Sequence, residues 1–226
     1  MTNVADADYY IAIEDFYLNI CKVHCNPGII YGHDAIFKTT DAKYPFTHTE
    51  VRTVSLPARQ ISFNFNNIFQ NVRPNKVVVF VSSQAVSGSY SLSPWNFQHF
   101  NLNEITLEVD GFPVGGNPVK VSFDESSGES SSIAAYCNLF DITGKCLQDA
   151  GNGLSRHFFS QGTALYAFNI EPDFDGLEYL TLKRSDKVNL ECNFSKPLEH
   201  STTVVIYSEF GGYFEISQSR DIILEE

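Results

Sequence analysis

An all-β fold, an antiparallel sandwich of about eight strands in two sheets with one short helix in a loop, is predicted by three features of this sequence. Nineteen Phe and eleven Tyr stand against one Met and one Trp, a balance that favours sheet over helix. Apolar and polar residues alternate with period two in several short segments, as half-buried strands require. Turn signals separate these segments, and no repeat or linker divides the 226 residues, so one domain over 9–226 is expected behind a flexible lead over 1–8.

Each element follows in order. Crowded apolar residues from Tyr9 to Val23, with Ile11, Ile13, Leu18 and Ile20, predict a strand with a register change near Glu14-Asp15, ended by Asn26-Pro27-Gly28. Ile29 to Ala42 has no clean period. Tyr44-Pro45-Phe46 leads into a strand from Thr47 to Leu56, stopped by Pro57, which cannot donate to a ladder. Ile61, Phe63 and Phe65 alternate with Ser62, Asn64 and Asn66, a half-buried strand at a sheet edge or outer layer.

The unbroken run Val77 to Val81 predicts a strand buried on both faces, whereas Ile105, Leu107 and Val109 alternate with Thr106, Glu108 and Asp110 and keep one face wet. Between them Pro94-Trp95-Asn96-Phe97 is too apolar for a solvated tether, which predicts a loop packed onto its own domain. Asp110-Gly111 is a turn, and Val119, Val121 and Phe123 mark a further strand. The Ser-rich stretch from Glu125 predicts an exposed loop, after which Ser131 or Ser132 caps a short helix through Ala134, Tyr136 and Leu139. Asp149 to Gly153 is turn-like, with Gly151 and Gly153 suited to positive φ. Closing strands are expected at Ala164 to Ile170, Val188 to Phe194 and Thr202 to Phe210, with shorter pieces at Leu177 to Leu182 and, after Gly211-Gly212, at Tyr213 to Ile216.

Charge and cysteine usage narrow the function classes. A net charge of −12 opposes contact with a phosphate backbone, and Arg156, Arg184 and Arg220 are scattered with no aromatic-interleaved basic stripe, so no nucleic-acid site is expected. Cys21, Cys25, Cys137, Cys146 and Cys192 lack the spacing of a disulfide framework, which reads as reduced thiols. No apolar run reaches the length of a membrane span and the start carries no basic and apolar leader, so synthesis in the cytosol without membrane insertion is expected. Asn193-Phe194-Ser195 matches a glycosylation triplet and, without a secretory route, reads as chance.

Candidate chemistry is sparse. Cys21, His24 and Cys25 are zinc-type ligands within five residues, but on a strand His24 faces away from the two cysteines, so the reading taken is two buried or half-buried thiols and no metal. His99 could pair with Asp110 or Glu108 as a base and its orienter, yet no nucleophile motif accompanies it. For His99 and for His157 the expected role is a loop histidine bonded to a backbone carbonyl. Glu171, Asp173 and Asp175 could collect calcium, and their plain reading is a solvated loop. No catalytic residue, cofactor or metal is therefore assigned.

The blocks of this chain form an ordered series. They run Ala42-Lys43-Tyr44-Pro45 with Glu50-Val51-Arg52-Thr53; Pro74-Asn75-Lys76; Ser87-Gly88-Ser89; Ser93 to Asn101, which holds Pro94, Trp95, Asn96, Phe97 and His99; Val109-Asp110-Gly111; Gly162 to Phe168; Val188-Asn189-Leu190; and Val204 to Phe210. From about Tyr10 to about Asp221 this series resembles the hexon-like major capsid proteins of Polinton (Maverick) elements and adintoviruses. The family usually carries Phe where Trp95 stands, an exchange in which either ring fills an apolar socket.

The resemblance implies a jelly roll, the C-terminal one of two fused in a family member about twice this length. It also implies a non-enzymatic structural role in the virion capsid, with other capsid chains as partners: three full-length chains make a pseudo-hexameric capsomer, and an isolated half can stand as a monomer. Pro94, Trp95, Asn96, Phe97, His99, Asp110 and Gly111 would then be structural signature residues. A second function class fits the residues too, a free-standing β-sandwich that binds sugar or protein through Tyr90, Trp95 and Tyr213.

Overall fold

The computed structural model describes residue 10 and residues 12–83, 93–123, 131–146, 151–171 and 184–225. Helix α1 (Pro27–Phe37) precedes strands β1 (Ala42–Leu56), β2 (Ser62–Phe65), β3 (Lys76–Ser82) and β4 (Leu102–Val109). Short strands β5 (Phe112–Pro113) and β6 (Val119–Lys120) lead to helices α2 (Ile133–Ile142) and α3 (Arg156–Ser160). Strands β7 (Tyr166–Asn169), β8 (Val188–Phe194), β9 (Thr202–Ile216) and β10 (Ile222–Glu225) complete the chain.

One sheet runs β1-β9-β3-β7 with β10 paired to the far half of β9, and the other runs β2-β8-β4-β5 with β6 also on β4. Every named pairing is antiparallel. Because the chain passes from one sheet to the other at six of the nine steps between successive strands, and the first long strand pairs with the last long one, the topology is that of a jelly roll.

Period-two patterning drives the two sheets together. Val77, Val79, Val81, Val204 and Ile206 point inward from one, Ile105, Leu107, Leu190 and Cys192 from the other, and all are at most 1% exposed. Each such aliphatic side chain contributes about 1.5–3 kcal/mol by leaving water. Ala135, Leu139 and Ile142 of α2 and Phe159 of α3 join the same core, with Phe159 edge-on to Tyr166 at 6.1 Å.

Several expectations are corrected. Residues 12–23 form no strand: they have no regular structure and are exposed, because no neighbouring strand accepts their backbone. Asn26-Pro27-Gly28 ends nothing. It starts α1, where the Asn26 side chain accepts from the Gly28 N–H at 2.9 Å and Pro27 occupies the first turn. Strand β1 begins at Ala42 and runs through Pro45, which an edge position tolerates.

Strand β3 is not buried on both faces, since Val78 and Phe80 are only half covered. Strand β9 runs straight through Gly211-Gly212, which lie opposite Thr47 and Phe46 on β1. Strand β10 has no counterpart in the reading of the sequence. Helix α2 forms as expected with Ser132 at its cap, but the Ser132 side chain makes no capping hydrogen bond. The expected strand around Val119 to Phe123 shrinks to β6 and a Ser122–Ser131 bridge. Gly153 takes φ +76°, Gly151 does not take positive φ, and the expected strand over Leu177 to Leu182 lies outside the described residues.

Candidate functional site

The signature loop is a structural clip whose working residue is Phe97. Its N–H donates to the Gly162 carbonyl at 2.8 Å and its carbonyl accepts from the Ala164 N–H at 3.0 Å, so the loop bridges the end of β3 to the lead-in of β7. The Phe97 ring lies 4.2 Å from that of Phe80, covering the outer face of β3. Asn96 presses on Gly162: a Cβ built at Gly162, where φ is +137°, would stand 2.5 Å from Asn96 Oδ1. Pro94 and Asn96 are themselves exposed.

Trp95 departs from the expected packing. It is 76% exposed and meets Phe97 edge to face, with centroids 6.3 Å apart. Phe97 fills the available socket, which leaves the indole outside.

His99 is half-buried and stacks on Phe123 at 4.1 Å. Its Nδ1 accepts from the Asn101 N–H at 3.0 Å, so the bond runs from a backbone N–H and not to a backbone carbonyl. That bond spans two residues held at positive φ, Phe100 at 45° and Asn101 at 56°. Burial lowers the pKa of His99 from its ordinary value.

Asp110 lies beyond the far end of β4, about 27 Å of extended chain away from the His99 end, so the two cannot act as base and orienter. Asp110 Oδ1 instead accepts from the Lys187 N–H at 2.8 Å, while the Asp110 N–H donates to the Lys187 carbonyl at 2.9 Å. Asp110 and Gly111, with φ of 51° and 83°, make the tight turn from β4 to β5. Both take the left-handed conformation such a turn needs.

A cleft of about 660 Å³ opens beside the loop, lined in part by His99, Ser160, Gln161, Lys196, Glu199 and His200. Its hydroxyl and its half-buried imidazole are both engaged locally: Ser160 Oγ donates to the His157 carbonyl at 3.1 Å, and His99 Nδ1 holds the Asn101 N–H. Among the described residues of the lining, no hydrogen bond joins the Ser160 hydroxyl to an imidazole.

The remaining candidates stay apart. Cys21 and Cys25 are exposed rather than buried, Cys192 is buried, and all five thiols are free. Among the described residues no three His, Cys, Asp or Glu side chains gather as a metal site, and no helix is long and apolar enough to cross a membrane. His157 sits in the last turn of α3, its ring 6.0 Å from Phe158. Glu171 is half-buried, while Asp173, Asp175 and Tyr90 lie outside the described residues. Tyr213 packs under Lys43 Nζ at 4.9 Å, and the Asn193 side chain donates to Glu191 at 3.2 Å.

No family model matches the chain. An uncharacterized protein of Caenorhabditis elegans is 23% identical over 195 residues, which cover 84% of this chain and 46% of that protein. Among solved structures, a chain of the Sputnik virophage, determined by cryo-EM, matches with a TM-score of 0.43 at 14% identity over 82% of this chain and 39% of its own. The mavirus major capsid protein matches with a TM-score of 0.37 at 9% identity over 82% and 41%. The chain thus spans less than half the length of each. The jelly-roll assignment rests on the strand order and register given above.

Proposed function

We propose that this chain is a structural capsid unit without enzymatic activity, the C-terminal jelly roll of a hexon-like double jelly-roll major capsid protein of the Polinton and adintovirus kind. The observation that carries the reading is the use made of the signature residues: Phe97 clips the loop to the end of β3 and the lead-in of β7, and Asp110 with Gly111 locks a hairpin to Lys187. These residues fix a shape. Ser87-Gly88-Ser89 lies outside the described residues; the other blocks resembling the family fall in chain order on a sandwich of the topology the resemblance implies, which supports the same conclusion.

In this reading residues 9–226 act as one unit, standing upright beside a second barrel, and three full-length chains form a pseudo-hexameric capsomer of the virion. Synthesis is in the host cytosol, with no nucleic-acid contact and no membrane insertion. The test is to express the chain fused behind a matching N-terminal barrel and to measure mass and shape by light scattering and electron microscopy. Trimers with a pseudo-sixfold outline are expected. Monomers that bind glycans saturably, with the exposed Trp95 required, would replace it by the sandwich binding module.

A further inference from the structure

The apolar surface of this protein is unevenly placed. Of the twenty-two large hydrophobic side chains that stand exposed among the described residues, eleven fall between Tyr10 and Ile36. Phe16 is 90% exposed and Leu18 77%, and α1 buries no residue at all. So much apolar surface in one continuous segment is the mark of an interaction site.

A receptor of the right form lies in the same molecule. Strand β1 pairs with β9 over all fifteen of its residues and, among the described residues, with nothing on its other side. From Phe46 to Leu56 this edge contains no proline or glycine, and its outer face presents Thr47, Thr49, Val51 and Thr53, all exposed. A long, β-branched open edge is a template for one more strand. Residues 12–25, extended at about 3.3 Å each, reach about 46 Å, close to the length of β1.

We propose that residues 12–25 of one copy add as a strand to the open edge of β1 in a second copy of this chain. The edge of the same chain is excluded as the occupant's place: α1 and the residues around it would suffice for a crossover to it, yet the arm stays off its own β1 with every described residue exposed. Area favours a second copy as well. Phe16 and Tyr17 bury roughly 150–250 Å² each when covered. Two arms exchanged reciprocally, with Ile13, Leu18, Ile20 and Val23 beside those rings, pass the roughly 1,200 Å² at which specific interfaces begin. Reciprocal exchange of this arm also closes the assembly by symmetry. The inference stands apart from the capsid reading, because a sandwich of any function can trade arms.

The arm supplies its own reporters, Cys21 and Cys25, both exposed. In the full chain with Cys137→Ser and Cys146→Ser, either Thr49→Cys or Thr53→Cys is introduced on β1. Isotope-labelled and unlabelled copies are then mixed and mildly oxidised, and disulfide-linked peptides are read by mass spectrometry. Links joining Cys21 or Cys25 of one isotope to the β1 cysteine of the other are expected. Phe16→Asp with Leu18→Asp abolishes them and brings the mass in light scattering down to 25.3 kDa, with the thermal midpoint of the monomer unchanged. Links within one isotope only, links confined to the two arm cysteines, or no links each overturn the proposal. Mixed-isotope links without pseudo-hexameric capsomers would leave the exchange standing and remove the capsid reading.

Discussion

The imidazole of His99 lies over the ring of Phe123, with centroids 4.1 Å apart and planes 15° from parallel. The same imidazole holds the Asn101 N–H, so the neutral ring keeps a left-handed corner in place at the start of β4. Its charge state therefore bears on stability.

Burial lowers the folded pKa of His99 below the 6.5 of the free side chain. The unfolded chain takes up the proton first, so the stabilisation is full above that value and is lost as pH falls from there through the folded pKa. His99→Phe removes both the acceptor and the titration. The gap in thermal midpoint between wild type and this variant is expected to narrow from about pH 7 to about pH 5, and a gap constant over that range contradicts the assignment.

Gly162→Ala sets a Cβ against Asn96 Oδ1 in a backbone conformation that L residues avoid. A destabilisation of about 1–3 kcal/mol is expected from denaturant unfolding. Adding Asn96→Ala relieves the collision but not the backbone strain, so the double variant recovers only part of the loss. Strict additivity would show that the two residues do not meet.

Asp110→Ala leaves the Lys187 N–H without its side-chain acceptor and is expected to cost about 0.5–2 kcal/mol. Asp110→Asn keeps an acceptor oxygen and tolerates positive φ, so it is expected to cost less. Equal losses in the two variants would point to charge rather than geometry.

Leu107→Ala opens a hole between the sheets beside Leu190, its partner on β8. A loss of about 2–5 kcal/mol is expected. Trp95→Ala removes a larger side chain from the surface and should change stability by less than about 0.5 kcal/mol. Paired unfolding curves decide whether Trp95 is held by its own domain.

The sequence made the sandwich legible wherever a segment repeats with period two against a fixed neighbour. Strand β8 runs from Val188 to Phe194 as its alternation requires, and Pro57 marks the end of β1. Gly211-Gly212 misleads because glycine ends strands on local grounds, whereas here Phe46 lies directly across and the ladder carries the backbone through. The segment before Asn26 has strand composition but no partner within the chain, and composition alone cannot provide one. Helix α1 was signalled by Asn26-Pro27, a cap followed by a first-turn proline, a pattern that also reads as a turn. Of the signature residues, Phe97 and Trp95 look alike as apolar loop residues. Which of them enters the socket depends on Phe80 and Gly162, distant in the chain, and only the fold brings these together.

The pairing of Leu56 with Thr202 and of Ala42 with Ile216 has a consequence during biosynthesis. The ribosome delivers β1 early and β9 late, and β3 too needs β9 beside it. Until then β1 waits with its backbone unmet, and β3 with one edge open, in competition with the same segments on neighbouring nascent chains. Closure of this wide loop waits on β9, and chaperone demand should track translation through Thr202 to Ile216.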